Sequence, residues 1–131
     1  MIKYLSLTQV LHIAETVTGL PFETIKNVAQ LHLMSSAISL PQLILIGLDP
    51  YPELADKAAV MAFNLARNHP LPDGNKRLAF LTCYEFCWIN GFELIFDIDS
   101  AESMFIGIAS GEKTLSDLTN WIRFSMQERR T

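Results

Sequence analysis

Cysteine is nearly absent from this 131-residue chain, which has only Cys83 and Cys87. They lie four apart in an apolar stretch, on one face of a helix, and match neither a CxxC redox motif nor a zinc-ligand pattern. Two buried, inert thiols in a reducing cytoplasm are expected. Long hydrophobic runs are missing too. The longest nearly continuous one, residues 78–89, is interrupted by Thr82 and Glu85 and falls short of the ~20 residues a membrane helix needs. The opening MIKYLSLTQVLHI has no charged leader followed by a long apolar region and a small-residue cleavage site, so no export signal is read. Basic charge is in deficit: 10 Lys and Arg stand against 14 Asp and Glu, for a net charge of −4. The overall field gives no help to a phosphate-backbone partner, so direct nucleic-acid binding is disfavoured, and neither nucleic acid nor membrane is expected as a partner. With no internal repeat, low-complexity tract or linker, one domain over residues 1–131 is the expectation.

What the chain has in quantity is apolar side chains. At 50% hydrophobic and 18% charged, a chain of this length buries roughly two-thirds of its open-chain surface without help from disulfide or metal. Helical periodicity dominates. Ser6 and Gln9 have capping-box spacing, Leu7, Val10, Leu11, Ala14 and Val17 form one stripe, and Gly19 is the stop. After the break at Leu20-Pro21, residues 29–40 read as a less regular helix, ended by Pro41 because a residue before proline is pushed out of the helical region. Residues 42–52, QLILIGLDPYP, combine a short β-prone run with turn formers and predict a small hairpin or exposed flap. Residues 53–68 repeat Leu54, Ala58, Met61, Ala62 and Leu65 at helical spacing, with Pro52 suited to the first turn.

Residues 75–90 predict another helix, apolar nearly all round, with Gly91 as its left-handed stop; that profile marks the central helix of a bundle. A brief strand over residues 92–96 follows, then a helix capped by Asp99 or Ser100 and ending near Gly111. Thr114 and Asp117 open a last helix carrying Leu115, Leu118 and Ile122. Arg129 and Arg130 read as a solvated end. The fold class is all-α, a compact helical bundle around a central buried helix with a small β-hairpin flap.

Chemistry concentrates in His69-Pro-Leu-Pro-Asp-Gly-Asn-Lys-Arg77, between two apolar helices. A plain connector has no use for His, Asp, Asn, Lys and Arg packed this tightly. Gly74 lets the backbone approach a ligand, and the free N–H groups opening the next helix form an anion site. Lys76 and Arg77 add cationic donors, Arg77 with a fork suited to phosphate oxygens. Asp73 is a hard anionic ligand of the kind Mg2+ takes when it bridges phosphates. His69 offers an imidazole to accept a proton from an incoming hydroxyl. The bland reading is a turn with a helix cap, but two cations at a helix N-terminus cost about 0.3–1 kcal/mol each unless an anion is bound. Phosphoryl-type transfer follows from the parts.

These residues carry a resemblance. HPLPDGNKR resembles the Fic/Doc signature His-x-Phe-x-(Asp/Glu)-x-Asn-(Gly/Lys)-Arg, and YPELADKAAVMAFNLARN is similar to the helix that leads into it. The similarity runs from the N-terminal YLS to IASGEKTLSDLTNWI. It implies a Fic/Doc-like helical bundle in which His69 deprotonates a target hydroxyl and Asp73 is the magnesium-associated acid. Gly74, Asn75 and Lys76 would form the anion-binding turn, and Arg77 would contact nucleotide phosphate. ATP would be the donor. Leu43, Ile44, Leu45 and Ile46 would belong to the flap that holds a target segment as an added strand.

Two positions in this match matter. Leu71 replaces the phenylalanine anchor, with a modest stability cost expected. Lys76 replaces the glycine of nucleotide-transferring members, a feature of Doc-type toxins, which phosphorylate translation elongation factor Tu and are silenced by a partner antitoxin. No (S/T)xxxE(G/N) inhibitory helix is present, so restraint is expected in trans, from an antitoxin helix in an apolar groove. The alternatives are AMP transfer to a protein hydroxyl, and a binding module for an antitoxin or regulator that has lost turnover.

Of the remaining signals, His12 and His32 read as ordinary helix residues and residues 107–111 as a helix end rather than a nucleophile elbow. Arg67 and Asn68 stand close enough in sequence to touch a ligand. Trp88 and Trp121 are assigned to the core.

Overall fold

A computed structural model describes residues 1–130. The first helix, α1, spans Leu7–Thr18 with the Ser6–Gln9 capping box formed and Gly19 left-handed at its end. A short helix α2, Phe22–Val28, follows, with only Ile25 buried; that shallow footprint explains why no periodic signal marked it. Helix α3 is Leu31–Ser39. Pro41 does not end the helical path as predicted. Leu40 stays in the right-handed helical region, and residues Leu40–Gln42 tighten into a 3-10 turn around the buried Pro41. The missing proline N–H orphans no carbonyl there, because Ala37 O accepts the Leu40 N–H instead, and the Leu43 N–H closes the turn on Leu40 O at 3.1 Å.

Helix α4, Leu54–Asn68, begins after Glu53, whose N–H donates to Asp56 Oδ2 at 3.1 Å. Pro52 lies just outside it. Helix α5 is Asn75–Ile89. The centre of the bundle is α4, which corrects the expectation for α5. Its buried face is unusually wide and made mostly of small residues, Ala55, Ala58, Ala59, Ala62 and Ala66, and it packs against α3, the 3-10 turn, α5, α6 (Ile98–Ser110) and α7 (Leu115–Ser125). Short alanine side chains let that many neighbours approach one axis. By contrast, α5 buries one stripe, Leu78, Ala79, Cys83, Phe86 and Cys87, and leaves Lys76 and Arg77 exposed. Its apolar composition serves a surface groove as well as the core.

The N-cap of α6 is Asp97, which accepts the Ser100 N–H, rather than Asp99 or Ser100. The Thr114–Asp117 box at α7 forms as expected. Strand β1 is Phe92–Leu94, shorter than predicted, and it pairs antiparallel with β2, Met126–Glu128. The C-terminal segment is therefore not merely solvated: Arg129 N–H donates to Gly91 O at 2.9 Å, and its guanidinium lies 4.4 Å from the Trp88 ring centroid. Trp88 belongs to that surface stack, 37% exposed, and not to the core. Trp121 packs against the core with its indole N–H on Ser100 Oγ at 2.9 Å. Cys83 and Cys87 are fully buried free thiols; a hydrogen bond with Cys87, then burial, pushes the Cys83 thiol well above its ordinary range. No described helix is long and apolar enough to cross a membrane.

Candidate active site

The segment that carries the chemistry joins the central helix to its main partner. His69 caps α4 in the left-handed region, φ 50° and ψ 61°. A histidine tolerates that conformation better than most side chains, although a glycine would be the relaxed choice. The strain turns the chain sharply out of α4 with an imidazole at the turn. Pro70 follows, buried, and its carbonyl accepts the Gln30 N–H at 2.7 Å, tying the loop to the start of α3. Leu71 is 4% exposed within the main core cluster, filling the anchor position.

Asn75 has a different task from the one its sequence position implied. Its side chain is 9% exposed, accepts the Leu71 N–H at 2.8 Å through Oδ1 and donates to Leu71 O at 2.8 Å through Nδ2. Both ends of the amide are committed to the loop backbone. What remains of Asn75 for an anion is its main-chain N–H. The first intrahelical bond of α5 runs from Leu78 N–H to Gly74 O at 2.9 Å, so the N–H groups of Asn75, Lys76 and Arg77 have no carbonyl within the helix to donate to.

Gly74, at φ +88°, is required twice over. Its backbone is left-handed, and a Cβ there would stand 2.8 Å from Val17 Cγ1. The close approach that glycine permits is thus to the end of α1, and this contact brings Thr16 and Val17 beside the site. Asp73 is exposed, with Oδ1 accepting the Gly74 N–H at 2.8 Å. Its second oxygen leaves one carboxylate oxygen for a cation. Among the described residues no three His, Cys, Asp or Glu cluster as a metal cage. A single carboxylate nonetheless fits Mg2+ carried by a polyphosphate, because such an ion keeps phosphate and water in most of its shell.

Lys76 and Arg77 open onto a groove of about 600 Å³ whose other walls are Val17, Phe80, Phe96, Ile98 and Phe105. The aromatic rings interlock: Phe80 meets Phe96 edge-on at 5.0 Å and Phe105 edge-on at 5.6 Å. An apolar trough with two cations at one end suits a ligand with an apolar body and an anionic end. The cations are conspicuous in the sequence and the walls are not; Phe80, four residues after Lys76 on the same helix, is the local signal for them. Residues 4–87 match the Fic/DOC family. The chain belongs to this family. Over 88 residues it is 42% identical to a protein named toxin Doc from Mycolicibacterium smegmatis, a stretch covering 66% of this chain and 68% of that one. Within the family the chain is of the Doc type.

His69 and Asp73, on the loop itself, are not among the walls of this groove, and the other residues singled out in the sequence lie elsewhere. Arg67 lies over Phe63, 5.3 Å from the ring centroid, and does not line the groove. His12 pairs with Glu15 at 2.6 Å on the surface of α1. Residues 42–48 form the flap in minimal form: Leu45 and Leu48 exchange both backbone hydrogen bonds, at 2.8 and 2.9 Å, across a turn of Ile46 and Gly47. Both turn residues have positive φ, 50° and 74°, the pattern of a type I′ hairpin turn. Leu43 is half-buried, whereas Ile44 and Leu45 are exposed and Ile46 is fully so.

Proposed function

We propose that this chain is a Doc-like toxin that transfers the terminal phosphate of ATP to a hydroxyl side chain of a translation factor of the elongation factor Tu type, blocking protein synthesis. The observation that carries the reading is Lys76 and Arg77 on the groove at the open N-terminus of α5, one short loop along the chain from His69 at the left-handed end of α4. The polyphosphate would lie against the N–H groups of Asn75, Lys76 and Arg77 and the two cationic side chains. His69 would accept the proton of the target hydroxyl as its oxygen bonds to the γ-phosphorus. The bond to the bridging β–γ oxygen breaks, ADP leaves, and the proton passes from the imidazole to solvent. Asp73 would hold Mg2+, which when bound neutralises phosphate charge. Asn75 contributes by fixing Leu71, and so the loop, rather than by side-chain contact with ATP. Docking of a target segment falls to the flap residues Leu43, Ile44, Leu45 and Ile46, whose exposed backbone and side chains suit strand addition.

An antitoxin supplied in trans would restrain the enzyme by laying a helix in the Phe80–Phe96–Phe105 groove. That placement would set the helix against Lys76 and Arg77 and block the phosphate end. Expression of the wild type in bacteria should arrest growth, and His69→Ala should relieve the arrest while melting as a folded protein. Arrest that persists with His69→Ala would rule out catalysis as its cause. Lys76→Gly should weaken terminal-phosphate transfer; a gain in AMP transfer with that substitution would further support lysine as the residue that sets which phosphate reacts.

A further inference from the structure

Among the described residues Lys57 is the one charged side chain in the buried set, 4% exposed on the inner face of α4. Its ammonium donates to Pro41 O at 2.9 Å and to Asp49 Oδ2 at 2.8 Å. The other oxygen of Asp49 accepts the Tyr51 N–H at 2.9 Å. Pro41 and Asp49 flank the flap, one residue before residues 42–48 and one after. A single ammonium therefore closes both stems of a loop whose inner structure is the Leu45–Leu48 exchange alone.

The loop needs such a closure. Ile46 is a β-branched residue at φ 50°, fully exposed at the tip, so backbone strain and apolar exposure both favour relaxation of the turn. Burying an ammonium is also a poor way to gain stability. A methionine of similar reach would pack α4 against the 3-10 turn without the desolvation penalty, and replacing a buried ion pair by apolar groups is often neutral or better. A buried charge that stabilises little, joined to both stems of a strained loop, has its explanation in the shape of that loop.

We propose that Lys57, acting with Asp49, is a positioning residue for the protein substrate: it holds residues 42–48 in the hairpin shape that accepts an extended target segment. The proposal rests on the transferase reading above. Lys57 stands 12 positions before His69, about 18 Å along α4, so it acts on substrate docking and not on the reacting atoms. A target strand would cover that distance with about five or six extended residues.

The test uses the full chain with Lys57→Met, Asp49→Asn and the double variant. In the wild type, backbone order parameters at Ile44 to Gly47 should lie near the rigid value of about 0.85, and in each single variant they should fall below about 0.6, with α4 and α5 unchanged. In label transfer from ATP, each single variant should raise KM for the protein substrate about tenfold and leave kcat and KM for ATP within twofold. The double variant should be no worse than either single one, since both remove the same clamp. Flap order unchanged in both variants, or kcat lowered with KM for the protein unchanged, would overturn the proposal. If the wild type transfers no label, the transferase reading fails by itself; the order parameters then still decide whether Lys57 sets the flap.

Discussion

Asn75→Ala separates two accounts of the same residue. If the amide held phosphate, its loss would weaken ATP binding and leave the fold intact. In the structure it instead makes two 2.8 Å bonds to the Leu71 backbone while nearly buried. Removing it leaves the N–H and C=O of a buried residue without partners, at about 1–3 kcal/mol each before water enters the space. Partial relief by water brings the expected total to about 2–4 kcal/mol. Unfolding entropy of about 2.1 cal/mol/K per residue gives this chain about 0.28 kcal/mol/K, so the melting temperature should fall by about 7–14 °C. Urea denaturation should show the loss in the midpoint with an unchanged slope. Asn75→Asp keeps the acceptor for Leu71 N–H but sets a carboxylate oxygen against Leu71 O, and should also destabilise. A variant with wild-type stability and a large loss of ATP affinity would refute the reasoning and return Asn75 to the phosphate site.

Other consequences follow from single positions. His69→Gly should stabilise the fold by up to about 1 kcal/mol, because glycine relieves the left-handed strain, while abolishing transfer; a melting curve and label transfer on one preparation check both. Thr82 is fully buried with no partner for its hydroxyl, so Thr82→Val should be neutral or stabilise by up to about 1 kcal/mol in urea denaturation. A loss above that would mean the hydroxyl is satisfied in solution. The hydrogen bond from Lys57, then that from Tyr51 N–H, lowers the Asp49 carboxyl below its ordinary 3.8. A lowered folded pKa gives a contribution present above 3.8 and lost as pH falls through the folded value. Flap order should therefore be constant from neutral pH to about 5 and fall only below 3.8; an Asp49→Asn variant should lack that acid transition.

Most of the helical frame was legible because its signals are local. Ser6–Gln9, Thr114–Asp117, Gly19, Gly91 and Gly111 each act within one turn of the chain, and all mark the ends they predict. Helix α2 and strand β2 were not legible. The first buries a single side chain, and the second is three residues of no pattern held by pairing with β1. Apolar content alone points to α5 as the centre because it does not say which surface each side chain covers. The wide alanine face of α4 is the better sign of a helix crowded on many sides.

The site divides in the same way. A loop of His, Asp, Gly, Asn, Lys and Arg is conspicuous in any sequence, but the tasks of its members depend on contacts from elsewhere. Gly74 answers to Val17, Pro70 to Gln30, and Asn75 to Leu71. Lys57 sits in ADKAAVMA, where helical spacing alone cannot show that its ammonium meets Pro41 and Asp49.

The central claim is tested most directly by label transfer to purified elongation factor Tu and to whole lysate, from ATP labelled at either the γ- or the α-phosphate, with His69→Ala as control. The account predicts label on protein from the γ-position alone, and none with His69→Ala. Label from the α-position would make the enzyme a nucleotide transferase despite Lys76, and label from neither would contradict the transferase reading itself.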